Sequence, residues 1–219
     1  HLIRASDLVQ LRSLVDRVYK IADGAALMTE TVVEKNVYSG VSNLLGNKPL
    51  EEIMQNEFDK LGPVLFDAND RVFANKIRST LTQADISDSF QRIGLKTPLD
   101  MPLCNFVAPL ETVGNGGIGS TDVGDVSWVV PTVQARVATC AVGTPFHTWQ
   151  TVAQGKSSAA HKGMIHAAKV MASTASALIK DPNKLIEAKE FFKNILTLTN
   201  SNNDIKVDSQ KRINRDFRE

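Results

Sequence analysis

Two β-branched apolar runs, residues 126–130 and 133–142, constrain the fold more than any other part of this chain. They lie inside the Gly- and Thr-rich stretch GGIGSTDVGDVSWVVPTVQARVATCAVGTPFHTW, residues 116–149. Short apolar runs bounded by turn residues predict strands, and their mostly apolar rather than alternating character predicts cover by helices on both faces. The fold class expected is therefore α/β, three layers with helices on a mostly parallel sheet. The polar groups offered around the runs are Ser120, Thr121, Asp122, Asp125 and His147, the layout expected of a site at strand ends.

The flanking segments read as helices. Ser6 as N-cap, followed by Leu8, Leu11, Val15, Val18 and Ala22 at helical spacing, predicts a helix over 6–24 closed by Gly24. Residues 1–4 read as extended chain, and 29–38 alternate through Thr31, Val33, Lys35 and Val37 as a strand. This is a strand-helix-strand unit without its beginning, so the chain is expected to be a piece of a longer protein. Asn47 as cap, Pro49 in the first turn, Glu51 and Glu52 near the positive helix end and Gly62 at the stop define a second helix after a linker at 42–49. Val72, Phe73, Ile77 and Leu81 predict a third over 70–84, and 85–109, with Pro98, Pro102 and Pro109, reads as loop. Residues 157–180 form a helix of small residues suited to close packing. Asp181 and Pro182 start a last helix to about residue 196, and the polar tail 199–219 lacks the apolar residues to order itself alone.

Composition excludes some classes of function. With 25 basic against 24 acidic residues the net charge is +1, which gives no electrostatic reason to expect nucleic acid or an anionic membrane as partner. No apolar run approaches the ~20 residues that span a bilayer, and the first residues do not follow a secretion-signal pattern, so the cytoplasm is expected. Cys104 and Cys140 are expected as reduced, buried thiols rather than a disulfide.

Several short signals offer chemistry. His147, just past the second apolar run, is either a hydrogen-bonded structural group or a ligand, and alone it cannot make a metal site, which takes about four ligands. Gly114, Gly116 and Gly119 spell G-x-G-x-x-G, but a dinucleotide fingerprint requires strand, turn and helix around it, and here a loop precedes and a turn and strand follow. His161 and His166 stand about 140° apart around a helix axis, so they cannot share one metal, and they read as polar-face residues. Arg4, ending an extended segment, can grip a carboxylate with two parallel hydrogen bonds.

The stretches LIRASDLVQLRSLVDRVYKIADGAALMTET and GSTDVGDVSWVVPTVQARVATCAVGTPFHTW carry a resemblance. Through them, residues 1 to about 196 resemble the C-terminal part of the aminoacylase/carboxypeptidase superfamily of dinuclear metallohydrolases, and within it the aminobenzoyl-glutamate hydrolase branch. The family's S-E-D-F and H-S-P segments correspond to STDV, with Thr121 in the acidic position, and to HTW. By that resemblance His147 is implied as a metal ligand, and Asp122, Thr148 and Arg4 as substrate-binding residues, Arg4 holding the free carboxylate. The implied cofactor is a divalent metal, zinc or manganese, two per full-length chain. Residues 1–45 are implied as the closing half of an α+β lid that carries an oligomer interface, as homodimer or hetero-oligomer. Residues 46–198 are implied as the return into the catalytic domain, and 199–219 as a tail.

The resemblance implies amide hydrolysis of a small N-acyl amino acid such as p-aminobenzoyl-glutamate. It also implies that the remaining ligands and the general-base glutamate lie outside this chain, which supplies no catalytic residue and is expected to be inactive alone. The alternative is a companion subunit that keeps the fold and oligomer surface without hydrolysing anything. A nucleotide-dependent oxidoreductase would rest on the glycine triplet only.

Overall fold

A computed structural model describes residues 1–91, 94–96, 100–111 and 121–203. Every regular element among these residues is helical. In chain order they are α1 (Leu8–Met28), α2 (Lys48–Leu61), α3 (Ala68–Arg78), α4 (Gln83–Gln91), α5 (Val123–Ser127), α6 (Trp149–Gln154), α7 (Ser158–Lys180) and α8 (Pro182–Asn203).

The expected α/β sheet is corrected by this result, because no strand occurs among the described residues. Of the run at 126–130, Val126 and Ser127 fall in α5, while 133–142, 29–38 and 1–4 carry no strand. A strand exists only where its backbone groups pair in a ladder, and β-propensity measures fit to a pleated, half-buried surface rather than the presence of a neighbour. The backbone groups of the second run are met otherwise: Val142 N–H donates to the Pro102 carbonyl at 2.9 Å, and Ala141 N–H to the side chain of Gln154 at 2.7 Å. The strands expected of an α+β lid are corrected likewise, since among the described residues 29–38 forms no strand.

The described residues divide into two compact units, one drawn from 1–47, 121–132 and 188–203, the other from 48–111 and 133–187 so far as these are described. In the first unit, α1 is capped by Asp7, whose carboxylate accepts from Gln10 N–H at 2.8 Å, one residue beyond the expected Ser6. The helix passes through Gly24 and ends at Thr29. The segment 42–47 is tied to α5 by polar contacts. Asp125 accepts from the backbone N–H and hydroxyl of Ser42 at 2.8 and 2.6 Å, Ser127 accepts from Leu45 N–H at 2.9 Å, and Trp128 Nε1 donates to the Asn43 carbonyl at 2.8 Å. A Cβ on Gly124 would lie 2.1 Å from the Ser42 carbonyl oxygen, so the approach requires glycine there. Asp125 is thus a structural group.

In the second unit α2 packs against α7. Buried Val64, Phe66, Ala74, Ile77, Leu103, Ala141 and Ala159 form its main core, and Phe90, Met101 and Val142 a smaller one, where Phe90 stacks on Phe106 with ring centroids 5.6 Å apart. Gly62 closes α2 at φ +72°, as expected of a C-terminal glycine. Helix α3 starts at a capping box in which Asp67 and Asp70 each accept the other's backbone N–H at 2.9 Å. The Lys162 ammonium of α7 reaches both carboxylates, 2.6 Å from Asp67. That contact holds Asp67 below the usual carboxylate range. Burial alone would raise Asp70, but the ammonium and the capping hydrogen bonds outweigh it and Asp70 also stands low, while Lys162 is held above its ordinary value. Helix α7 has the predicted small-residue face: a Cβ on Gly163 would come within 2.2 Å of the Ala138 carbonyl oxygen, so α7 lies directly on the extended 133–142 segment.

Candidate functional site

The turn 141–148 and the short helix α6 behind it position His147. Gln154, 3% exposed, is the hub. Its Oε1 accepts the Ala141 N–H at 2.7 Å, and its Nε2 donates to Thr144 Oγ1 and to the Gln150 carbonyl, both at 3.0 Å. Thr144 in turn donates to the Ala141 carbonyl at 2.7 Å. Gly143 makes the turn at φ +93°, and a Cβ there would meet Ile86 Cα at 2.8 Å. The Pro145 carbonyl accepts two hydroxyls, Thr148 Oγ1 at 2.8 Å and Thr151 Oγ1 at 2.7 Å.

This frame forces His147 into the left-handed region at φ +63°. A non-glycine residue there costs on the order of 1–3 kcal/mol, which the surrounding turn must over-determine. The imidazole is exposed between the exposed side chains of Phe146 and Trp149, and it makes no hydrogen bond among the described residues. It is therefore free to take a ligand. Thr148 is extended (φ −124°, ψ 164°) as the N-cap of α6: its hydroxyl accepts from Thr151 N–H at 3.4 Å while donating to Pro145. Its one proton is committed, so toward a substrate it could only accept.

Arg4 and Asp122 belong to the first unit. Arg4 is exposed without an ion pair among the described residues. Asp122 stands at the N-cap position of α5 in helical conformation, its exposed carboxylate making no capping bond. No hydrogen bond or ion pair joins the two. Ser120 and the triplet Gly114, Gly116 and Gly119 lie outside the described residues.

The donor set does not amount to a metal site. Among the described residues no group of three or more His, Cys, Asp or Glu side chains could hold an ion together, and His147 offers one donor where about four ligands are needed. The two thiols are free, and burial pushes both Cys104 and Cys140 above the ordinary thiol range, which makes them poor nucleophiles at neutral pH.

The histidines of α7 differ from expectation in one case. His161 is exposed, as a polar-face residue should be, but His166 Nε2 is buried without a hydrogen-bond partner among the described residues, and its ring lies 6.2 Å from that of Phe58. The sequence carries the signal: His166 continues the inward stripe of Ala159, Gly163 and Val170, all buried, at spacings of three and four.

The chain is 40% identical over 200 residues to one of the subunits of p-aminobenzoyl-glutamate hydrolase from Escherichia coli (strain K12). The alignment takes in 87% of this chain and 42% of that protein, so the chain spans less than half the length of the curated relative it matches. No family model matches it, and no solved structure does. No helix among the described residues is long and apolar enough to cross a membrane.

Proposed function

We propose that this chain forms the C-terminal part of a cytoplasmic, metal-dependent amidohydrolase that cleaves the amide bond of an N-acyl amino acid such as p-aminobenzoyl-glutamate. The observation that carries the reading is the identity of 40% over 200 residues, 87% of this chain, to a protein named as a subunit of p-aminobenzoyl-glutamate hydrolase. His147 provides one metal ligand, for which its exposed imidazole, held by the Gln154 frame, is suited. Arg4 grips the substrate's free carboxylate, and Asp122 and Thr148 line the site. The metal is zinc or manganese, two in the whole enzyme, with the other ligands and the general base supplied from outside the described residues. On this reading the 219 residues alone are inactive.

The relative is named as a subunit, which favours an assembly, and we infer association through residues 1–45, where Leu2, Val32 and Tyr38 are each at least 86% exposed. That naming also supports a second reading, a companion chain that binds its partner without catalysing. Replacing His147 by Asn in the full-length protein separates the two. An amidohydrolase loses turnover and part of its metal, and a companion chain loses neither.

A further inference from the structure

We propose that the second unit holds a separate small-molecule site for a monocarboxylate with an apolar body, in the cavity that His166 lines. The cavity has a volume of about 320 Å³ and is bounded by α2, the segments 62–64, 104–110 and 133–138, and α7. This is the low end of the range of natural ligand pockets. Its walls are mainly apolar, among them Met54, Phe58 and Phe106.

The polar side chains Glu51, Gln55, Gln134, Arg136 and His166 break that lining. His166 Nε2 is buried with no partner among the described residues, and a buried polar atom of this kind is met in native proteins by a water or a ligand. Arg136 is exposed and forms no ion pair among the described residues, although its guanidinium presents five donors suited to a carboxylate. Glu51 contributes one negative charge, which disfavours a dianion. Gln55 also lines the cavity, but its amide is committed to Asp59 and the Ala108 carbonyl at 3.0 and 3.2 Å.

A free cation, a single opposing anion, apolar walls and one orphaned imidazole nitrogen select a definite ligand chemistry. The carboxylate pairs with Arg136, the apolar body fills the walls, and one hydrogen-bonding atom on that body meets His166 Nε2 once the ring turns toward the cavity, since that nitrogen has almost no accessible surface in the present structure. Neither His147 nor Thr148 lines the cavity, so this site is independent of the hydrolase reading.

Titration calorimetry of the 219-residue chain with 4-hydroxybenzoate and with benzoate tests the assignment. The hydroxylated compound is expected to bind at least tenfold more tightly than benzoate. Arg136→Gln, at an exposed position, should weaken both at least tenfold. His166→Phe should abolish the preference between them while leaving benzoate binding in place. Failure of the wild-type chain to bind either compound, or equal binding by wild type and Arg136→Gln, overturns the proposal. If His166→Phe raises the melting temperature and wild type binds neither compound, the nitrogen meets only water and the proposal also fails.

Discussion

Gln154 Oε1 accepts the backbone N–H of Ala141 at 2.7 Å across 13 residues, and this contact closes the turn that presents His147. The amide is buried, so Gln154→Leu leaves the Ala141 N–H without its acceptor, while the Thr144 hydroxyl keeps its bond to the Ala141 carbonyl. The cost of such an orphaned donor is about 1–3 kcal/mol. Denaturant unfolding should show a loss of roughly 1–3 kcal/mol, with faster amide exchange at Ala141. An unchanged midpoint would mean that the turn holds itself.

The left-handed backbone at His147 separates its structural from its chemical role. Asn and Gly tolerate φ near +60°, whereas a β-branched residue does not. His147→Asn and His147→Gly should therefore keep wild-type stability, and His147→Val should lose on the order of 1–3 kcal/mol. Equal melting temperatures for all three would place His147 outside the left-handed region in solution.

The ammonium of Lys162 between Asp67 and Asp70 makes stability depend on pH at both ends. The two carboxylates are held below their ordinary value of 3.8, so their contribution is complete above that pH and is lost as pH falls through their lowered values. Lys162 is held above 10.5, so its contribution is complete below that pH and lost as pH rises through the raised value. Lys162→Met should lower the melting temperature by a nearly constant amount between pH 5 and 9, about the range in which both partners are charged. The gap to wild type should begin to narrow below about pH 4 and close as pH falls through the lowered carboxylate values. A gap that does not narrow on acidification would assign the effect to the lysine's aliphatic stem instead.

Gly163 allows α7 to lie against the Ala138 carbonyl, and any Cβ there meets that oxygen at 2.2 Å. Gly163→Val should cost about 1–3 kcal/mol by overpacking, despite the better helix propensity of valine. A neutral or stabilising effect in thermal unfolding would show that the helix does not lie this close.

Much of the helical architecture was legible in the residues, because capping is local chemistry. Gly62, Ser157 and Pro182 mark helix ends where the sequence placed them, since each satisfies or removes a backbone group within its own turn. The fate of the apolar runs was not legible. Val133 and Val137 record only a preference for extended backbone, and pairing depends on a neighbour that no local pattern encodes. The 85–109 segment hid α4, whose start is a Thr82–Asp85 reciprocal cap rather than an apolar stripe. At the candidate site His147 stood out by its position, but Gln154, which holds it, reads as an ordinary polar residue in a six-residue helix too short to show a periodic face.

The central claim is tested most directly by hydrolysis of p-aminobenzoyl-glutamate with parallel metal analysis, comparing the full-length protein with its His147→Asn variant at matched folded content. Release of p-aminobenzoate by the wild type, together with at least 100-fold slower release and reduced metal content in the variant, is the outcome predicted. Turnover and metal content in His147→Asn equal to those of the wild type would contradict it.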